Sequence, residues 1–366
     1  MKHLAACLVL GSGLGLSAVQ HVQAQSADEA KAFIEKYASP VSEWTGPTEG
    51  PEAASDKTIV MLAADMTNGG VLGAANGVEE AAEAIGWDVT IIEGGGTVSG
   101  RSSTFGQALT LKPDGVIILG YNPTEQQAGM AQLRDAGIPM VTWHSVSGNG
   151  PSEEHGIFAN ITTDAQDVAR AAAYWAYLDA EEEPAVVIFT DSTYQIAIDK
   201  ADWMKEAIKE LGGEVLEYVD TPLDETSTRM PQLTTTLLQR HGEKWTHSLA
   251  INDLYFDFMG PSLEAAGIAG SAAPRNVAAG DGSEAAYQRI RNAQFQAVTV
   301  AEPLNLQGWQ LVDEMNRALA GEEWSGYTSP LHIVTAENID RDGGTENRFD
   351  PENGYREAYK QIWDGN

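Results

Sequence analysis

The 366-residue sequence has one cysteine and few basic residues: 22 lysines and arginines stand against 53 aspartates and glutamates, a formal net charge of −31. Proteins that bind nucleic acid or anionic membrane surfaces take much of their affinity from Lys and Arg on phosphates. The charge therefore excludes most such functions and favours a neutral or cationic ligand, or a protein partner. Because Cys7 is the only cysteine, disulfides, thiol nucleophiles and Cys-ligated zinc are also excluded.

The sequence also lacks the common motifs of enzymes and metal sites. It contains no HxxxH or HExxH zinc motif and no Gly-x-Ser-x-Gly nucleophile elbow. Residues 95–102 resemble a phosphate-binding loop, but Arg101 stands where that loop needs lysine, so we interpret the glycines as a turn and Arg101 as the partner of a carboxylate. Residues 340–344 resemble a calcium loop, whose twelfth-position Glu is replaced by Pro351. We expect no cofactor and no metal, with a structural calcium ion left open.

The first 24 residues predict a cleaved secretory signal peptide. A short basic start precedes an apolar run over 4–19, and small residues occupy positions −3 and −1 of a cleavage site after Ala24. The run is shorter than the roughly 18 to 20 residues of a membrane span, and no later stretch approaches that length. We therefore expect a periplasmic mature chain without a transmembrane segment.

From residue 58 onward, apolar runs typical of buried strands alternate with amphipathic helical patterns. Strands are predicted over 58–64, 89–93, 115–120, 139–143, 156–160, 185–190, 214–219, 247–251, 276–280 and 297–301. Helices are predicted over 73–86, 102–111, 124–136, 164–178, 199–213, 229–241, 260–266 and 283–292. Such alternation indicates parallel sheets covered by helices on both faces. Because the pattern restarts after a polar loop at 145–156, we predict an α/β fold of two doubly wound lobes.

Polar and aromatic side chains follow the predicted strands, where ligands of open parallel sheets bind. They comprise Asp65, Asn68, Tyr121, Asn122, His144, Ser145, Asp191, Tyr194, Asn252, Asp253, Tyr255, Asp281 and Glu302. Carboxylates accept hydroxyl protons, amides both donate and accept, and aromatic faces pack on C–H surfaces. The combination predicts a carbohydrate-type cleft between the lobes.

Short motifs in a fixed order carry a resemblance to a known family. They are the Asn68 loop, Asn122-Pro123-Thr124, Gly137-Ile138-Pro139, Asn160-Ile161-Thr162-Thr163-Asp164, Ala250-Ile251-Asn252-Asp253, Ala279-Gly280-Asp281-Gly282 and Ala301-Glu302-Pro303. From about residue 57 to 335 the chain resembles the type I periplasmic solute-binding proteins of ABC sugar transporters, in their ribose-binding-like branch. The resemblance implies a non-enzymatic receptor whose two lobes, joined by three hinge crossovers, close over one small sugar.

The resemblance also implies domain boundaries. After the signal peptide, residues 25–56 form an N-terminal helix and linker. The first lobe comprises 57–160 and 303–332, and the second comprises 161–302 and 333–366. The last part includes a C-terminal tail that we expect to wrap the second lobe.

Six candidate ligand-binding residues follow from the resemblance: Asn68, Asn122, Lys200, Asn252, Asp281 and Glu302. Positions at or directly after strand ends add Asp65, Tyr121, Trp143, His144, Tyr194, Asp253 and Tyr255, with Trp143 the preferred stacking platform. The asparagines also suit turns, and Asp253 and Asp281 also suit helix caps. Lys200 replaces a family arginine, so a point charge replaces a two-pronged donor.

His144 and Ser145 replace the Asp-Arg pair of ribose-binding relatives. This replacement argues against ribose and leaves a pentose, a hexose or a linear polyol open. The expected partners are that small neutral ligand and the membrane permease of an ABC transporter, and the expected oligomeric state is monomeric.

Other functions remain open from the sequence. The same fold could present a signal molecule to a membrane sensor, or act as a secreted glycoside hydrolase with Asp281 and Glu302 as paired carboxylates. A sugar-responsive repressor would need a basic helix-turn-helix in place of the signal peptide.

Overall fold

The computed structural model describes residues 27–181 and 183–365, and these form two α/β lobes with one six-stranded sheet each. The signal peptide predicted over 1–24 lies outside the described residues. The strands of the first sheet are β1 (Thr58–Ala63), β2 (Asp88–Glu93), β3 (Gly115–Leu119), β4 (Met140–Trp143), β5 (Gly150–Ser152) and β6 (Ile157–Ile161). The strands of the second sheet are β7 (Ala185–Thr190), β8 (Glu214–Asp220), β9 (His247–Ala250), β10 (Arg275–Ala278), β11 (Gln296–Ala301) and β12 (His332–Thr335).

Helices cover both faces of each sheet. The first lobe carries α2 (Gly69–Ile85), α3 (Val98–Leu111), α4 (Gln127–Asp135), α11 (Leu304–Ala320) and α13 (Tyr355–Trp363). The second lobe carries α1 (27–37), α5 (Ala165–Asp179), α6 (Gln195–Glu210), α7 (Thr226–His241), α8 (Leu254–Asp257), α9 (Gly260–Ala265), α10 (Glu284–Arg291) and α12 (Ile339–Asp342). Among the helices of the described residues, none combines the length and hydropathy that a membrane span requires.

The strand orders confirm the prediction of a doubly wound fold. The first sheet runs β2-β1-β3-β4-β6-β5 and the second runs β12-β11-β10-β9-β7-β8. All pairs are parallel except β5 with β6 and β12 with β11, which are antiparallel. Each sheet therefore ends in one antiparallel edge strand, a feature that the predicted strands do not include.

The apolar character of the central strands explains their burial. Strand β3, with the sequence GVIIL, is buried along its whole length, and β1 is buried from Ile59 to Ala63. A strand covered by helices on both faces needs apolar side chains at every position, whereas an edge strand can alternate. Strand β8 at one edge of the second sheet keeps an acidic residue at each end and is only partly buried.

Helices α2 and α3 begin earlier than predicted. Their first turns contain weak helix formers, so the sequence pattern did not show where they start. Helix α2 starts at Gly69 instead of 73, and α3 starts at Val98 instead of 102. Side chains at the N-cap define these starts: Asn68 Oδ1 accepts from Gly70 N at 2.9 Å, and Thr97 Oγ1 accepts from Gly100 N at 3.1 Å. Such caps satisfy backbone donors that the first helical turn leaves free.

Three crossovers join the lobes, over 162–164, 302–303 and 321–331. The tail differs from the prediction that it wraps the second lobe. Ile339 does pack in that lobe, but Tyr355, Tyr359, Ile362 and Trp363 are buried in the core of the first lobe. The reason is an aromatic partner on α11, since Trp363 stacks on Trp309 with ring centroids 5.4 Å apart.

Helices α2 and α11 of the first lobe pack backbone to backbone at two glycines. A Cβ on Gly308 would lie 2.3 Å from the carbonyl carbon of Gly77 and 2.4 Å from the amide nitrogen of Val78. Backbone atoms cannot rotate away as a side chain can, so the position requires glycine. This contact fixes α11, which directly follows the second crossover, against the helix that begins at the candidate site.

We expect Gly308→Ala to destabilise the protein by at least about 1–3 kcal/mol, because the added methyl group must push two helices apart. The measurement is the free energy of unfolding from denaturant titration. Gly106→Ala on α3 is the matched control, since a Cβ there meets no atom within 4 Å. The control should stabilise by about 0.5–1 kcal/mol through helix propensity. Equal stability of Gly308→Ala and wild type would contradict the packing argument.

Candidate functional site

A cavity of about 120 Å³ lies between the two lobes at the carboxyl ends of both sheets. This space is several times the roughly 10–15 Å³ that a single water molecule needs on the same measure, so a small molecule fits. The polar residues that line it are Asp65, Asn68, Arg101, His144, Asp191, Thr193, Tyr194, Lys200, Asp224, Asn252 and Asp281. Its apolar lining includes Val71, Val98, Trp143, Ile196, Leu223, Ile251 and Leu254.

The loop after β1 presents Asp65 and Asn68 to the cavity from the first lobe. Asp65 Oδ1 accepts from the amide nitrogen of Thr67 at 2.8 Å and from its hydroxyl at 2.6 Å. Asn68 uses Oδ1 to cap α2 and so turns its amide NH₂ into an available donor. Gly96 allows the second Asp65 oxygen to approach, because a Cβ on Gly96 would lie 2.9 Å from it.

Trp143 and His144 form a stacked pair at the end of β4. Their ring centroids are 3.8 Å apart and the ring planes differ by 7°. Trp143 Nε1 also donates to Gln307 Oε1 at 2.8 Å, which ties the indole to α11. The predicted stacking platform thus lines the cavity, but one face of its ring carries His144. His144 has φ +51°, a conformation that non-glycine residues seldom adopt and that concentrates at functional sites.

Four charged or titratable side chains meet beneath the cavity. His144 Nε2 lies 3.0 Å from Glu302 Oε2, and its Nδ1 lies 3.9 Å from Asp281 Oδ1. Lys200 Nζ lies 3.7 Å from Glu302 Oε1 and donates to the carbonyl of Ala279 at 3.1 Å. We call His144, Lys200, Asp281 and Glu302 the buried charge cluster. It joins the first lobe, the second lobe and the second crossover.

The two carboxyl groups of the cluster have opposite pKa shifts. Burial raises the pKa of Asp281 to about 6, and the nearby His144 and Lys200 offset only part of this effect. Burial also acts to raise the pKa of Glu302, but His144, Lys200 and the Gln307 amide outweigh it and hold that pKa well below its usual range. Glu302 is therefore the permanent anion, and Asp281 is the carboxyl group that takes up a proton in mild acid.

The cluster has a set of atoms that could hold a metal ion, but a lysine cation already lies next to them. One ligand atom each from His144, Asp281 and Glu302 lie within 4.8 Å of one another. The Lys200 ammonium group lies against the same Glu302 carboxylate and would repel a second cation. The arrangement suits hydroxyl groups, which can both donate to the carboxylates and accept from the lysine.

The second lobe supplies polar side chains that line the cavity and also use one oxygen atom to accept a hydrogen bond from the backbone of a loop. Asp191 Oδ2 accepts from the amide nitrogen of Leu223 at 2.9 Å. Asn252 Oδ1 accepts from the amide nitrogen of Leu254 at 2.9 Å, while Asn252 Nδ2 donates to Asp281 Oδ2 at 2.6 Å. Tyr194 precedes α6, whose buried face carries Lys200.

Of the predicted residues, eight line the cavity and five do not. Those that line it are Asp65, Asn68, Trp143, His144, Tyr194, Lys200, Asn252 and Asp281. Tyr121 and Tyr255 are corrected to core residues: both are fully buried, and Tyr255 Oη donates to the carbonyl of Thr221 at 2.7 Å. Asn122 donates to the carbonyl of Thr193 across the lobes.

Asp253 and Glu302 lie behind the cavity wall. Asp253 Oδ2 accepts from the amide nitrogens of Gly282 and Ser283 at 2.8 and 3.1 Å and so holds the loop before α10, whereas it makes no side-chain cap for α8, the helix that directly follows it. Glu302 Oε2 accepts from Gln307 Nε2 at 2.8 Å and faces His144. Glu302 therefore holds His144 and Lys200, which line the cavity, whereas Asp253 holds the loop that follows Asp281.

Arg101 lines the cavity although the sequence predicts only that it pairs with a carboxylate. That pairing is confirmed, since Arg101 Nη2 lies 2.9 Å from Glu125 Oε2 and Nη1 donates to the carbonyl of Gly96 at 2.8 Å. The guanidinium carbon also lies 5.7 Å from the ring centroid of Tyr194 in the opposite lobe. An arginine one turn into a helix after a glycine-rich turn was the available signal for this position.

The sequence places the chain in a protein family. A family model described as a periplasmic binding protein domain matches residues 59–323. The chain belongs to this family, in agreement with the two-lobed fold and the interlobe cavity. No curated protein matches the chain.

Solved structures of solute-binding proteins share the fold. One from Agrobacterium vitis with bound allitol is 20% identical, has a TM-score of 0.67, and is aligned over 78% of this chain and 97% of its own. A second from the same organism, bound with α-D-tagatopyranose, is 15% identical with a TM-score of 0.70 over 80% of this chain and 99% of its own. A periplasmic ribose ABC transporter protein from Conexibacter woesei is 19% identical with a TM-score of 0.66 over 82% and 100%.

The raised pKa of Asp281 predicts a pH-dependent effect of Asp281→Asn on stability. The native state binds this proton more tightly than the unfolded chain, so the Asp281 contribution to the free energy of unfolding decreases as pH rises from about 4 through about 6. An asparagine keeps an acceptor for Asn252 and does not titrate. The variant should therefore gain stability relative to wild type between about pH 4 and about pH 7.

Denaturant titrations of both proteins across this range provide the measurement. The other titratable groups around Asp281, namely His144, Lys200, Asp253 and Glu302, are present in both proteins, so contributions that do not involve the Asp281 charge cancel in the difference. A stability difference that does not change with pH would contradict the assignment.

Proposed function

We propose that this protein binds one small neutral sugar or polyol in the interlobe cavity and delivers it to the permease of an ABC transporter. The observation that carries the proposal is the convergence of donors and acceptors from both lobes on one cavity. Asn68 and His144 face it from the first lobe, and Lys200, Asn252 and Asp281 face it from the second. A molecule with several hydroxyl groups can satisfy all of them.

The size of the cavity and the relatives support this ligand class. The cavity accommodates a molecule of several heavy atoms, and structurally similar solute-binding proteins were solved with allitol and with α-D-tagatopyranose. Hydroxyl recognition also provides selectivity, because an analogue without the hydroxyl leaves buried polar groups unpaired. We propose that the ligand is a pentose, a hexose or a linear polyol.

Ligand binding is proposed to shift a hinge equilibrium toward the closed state. A ligand that contacts both lobes interacts more strongly with the closed than with the open state, which is the condition for a population shift. Asn122, through its bond to the Thr193 carbonyl, and Arg101, through the Tyr194 ring, add direct contacts between the lobes. His144 acts in the same way through Glu302 and Asp281.

We propose further that the mature chain is periplasmic, that the predicted signal peptide over 1–24 is cleaved, and that the protein acts as a monomer. Family membership supports a periplasmic location. Delivery to a permease requires release from an opened cleft, which the crossovers between the lobes permit.

The protein is proposed to leave its ligand chemically unchanged. A hydrolase based on Asp281 and Glu302 would need one carboxyl group as acid and the other facing the substrate. Glu302 instead lies behind the wall and is engaged by His144 and Gln307. Incubation with a panel of glycosides followed by a reducing-sugar assay distinguishes the two functions, because multiple turnover would overturn the receptor.

The direct test is a thermal-shift screen of the protein against pentoses, hexoses, deoxysugars, linear polyols and cyclitols. A compound that binds only the native state raises the melting temperature, by an amount that grows with the logarithm of the ratio of its concentration to its Kd. We expect at least one sugar or polyol to do so, with calorimetry giving one site per chain. No shift across the whole panel would contradict the proposed ligand class.

For the ligand found in that screen, we expect Asn252→Ala and Asp281→Ala each to weaken binding by about 1.5–3 kcal/mol, or about 10- to 150-fold. Each substitution leaves a ligand hydroxyl or a neighbouring side chain unpaired in a closed cavity. Tyr255→Phe is the matched control, because its hydroxyl donates to the Thr221 carbonyl away from the cavity. Unchanged affinity in both alanine variants, or an equal loss in the control, would overturn the site assignment.

A further inference from the structure

The chain crosses between the lobes at two places besides the three crossovers. Residues 27–56, which we call the N-terminal strap, begin on the second lobe and end on the first. Residues 336–365, the C-terminal strap, do the same. Both lie outside the residues 59–323 that match the family. Within the described residues the chain therefore passes from lobe to lobe five times.

The N-terminal strap is anchored to the second lobe through α1. Tyr37 Oη donates to Asp167 Oδ2 at 2.7 Å, and the Phe33 ring meets the Tyr174 ring edge to face with centroids 5.4 Å apart. Val41 then packs against the cluster around Tyr287 in the same lobe. These contacts fix the strap to the second lobe up to residue 41.

The same strap is anchored to the first lobe from Trp44 onward. The Trp44 ring lies 5.1 Å from that of Tyr327 and 5.4 Å from that of Tyr359. Further along, Arg317 Nη2 donates to the Glu49 carbonyl at 2.6 Å, and Trp87 Nε1 donates to the Ala54 carbonyl at 2.7 Å. The partly buried anchors Val41 and Trp44 are only three residues apart, so this link spans at most about 11 Å.

The C-terminal strap has comparable anchors on both lobes. Phe349 stacks on His332 in the second lobe with ring centroids 4.3 Å apart. Six residues later, Tyr355 Oη accepts from Asn305 Nδ2 at 2.7 Å in the first lobe. Arg356 fixes the link by pairing with Glu80 of α2 and by donating to Asp350 Oδ2 at 2.7 Å.

The two straps lie side by side next to the crossovers. Trp44 of the N-terminal strap packs on Tyr327 of the third crossover and on Tyr355 of the C-terminal strap, with ring centroids 5.1 and 6.4 Å apart. Tyr355 in turn bonds to Asn305, directly after the second crossover. The links thus form one row that runs from the third crossover to the second. Such a row allows the lobes to bend about its line and opposes twisting, because twisting must lengthen the links at its ends.

We propose that the two straps confine the motion of the lobes to opening and closing about a single axis. The straps thus act as a conformational device of this chain that keeps the cavity residues of opposite lobes in register while the cleft is open. The proposal concerns the motion of the protein alone and does not depend on which ligand it binds.

The test is the distribution of distances between the lobes in the ligand-free protein. Spin labels at Gln107→Cys on α3 and Lys209→Cys on α6, both exposed positions, in a chain with Cys7→Ala, report it by double electron–electron resonance. Phe33→Ala with Tyr37→Ala releases the N-terminal strap from the second lobe, and Arg356→Gln weakens the C-terminal strap. We expect the combined variant to widen the distribution about twofold, as the lobes sample twisted states.

Matched controls separate release of the straps from general destabilisation. Phe33→Leu with Tyr37→Phe keeps the apolar anchor, and Arg348→Gln removes an exposed charge of the same strap; both should retain the wild-type width. Faster proteolytic cleavage within 38–43 verifies that the N-terminal strap is released from the second lobe. If Phe33→Ala with Tyr37→Ala does not increase cleavage, Trp44→Ala is used in its place to release the strap from the first lobe. A released strap with a wild-type distance distribution, or equal widening in the controls, would overturn the proposal.

Discussion

The structure depends on the contact between His144 and Glu302, where the two lobes and a crossover meet. Glu302 is almost fully buried, and a buried carboxylate is stable only with charged or hydrogen-bonding partners. One partner, His144, comes from the first lobe, and another, Lys200, comes from the second. The anion therefore favours the state in which both lobes approach the crossover. Asp281, next to these groups, is the carboxyl group of the cluster that takes up a proton in mild acid.

This cluster also explains how an acidic chain can line a cavity for a neutral ligand. Each basic group near the cavity is paired, since Lys200 lies against Glu302 and Arg101 against Glu125. The ligand therefore meets no unpaired positive charge from these two groups, and its hydroxyls need no net charge to bind. The overall charge of −31 acts at longer range and is screened by salt within about 10 Å at moderate ionic strength.

The sequence was sufficient to predict the parallel strands of both sheets and most of the polar side chains that line the cavity, because apolar runs followed by polar residues mark strands and their carboxyl ends. The sequence was insufficient where a turn in the backbone determines which way a side chain points. Tyr121 follows Gly120, whose φ of +71° turns the chain, and the ring packs against Phe105 in the core. Tyr255 fails for a related reason, since a short helix follows β9 and directs the ring toward Phe189.

Contacts between residues far apart in the sequence account for the other differences between the predicted and the observed structure. Helix α13 packs on the first lobe because Trp363 stacks on Trp309, 54 positions earlier in the chain. The indole nitrogen of Trp363 also donates to Asp313 Oδ1 at 2.9 Å. No local pattern in the tail shows which lobe offers such a partner. The same holds for Trp44, whose aromatic neighbours Tyr327 and Tyr359 lie near the other end of the sequence. The structure was therefore needed to place the segments at the ends of the chain, whereas the alternating strands and helices between them could be predicted from the sequence.

Most polar side chains of the cavity have a second task in holding the backbone, and this determines how well the site is organised before a ligand arrives. Asn68 caps α2, Asp65 binds the Thr67 amide, and Asn252 binds the Leu254 amide. Each side chain is therefore fixed by one atom while another faces the cavity. Since side-chain ordering on binding costs about 0.5–1.5 kcal/mol for each freely rotating group, fixing them in advance leaves more of the contact energy for affinity. A site built in this way recognises the positions of hydroxyl groups, because the donors and acceptors cannot move to follow a different ligand.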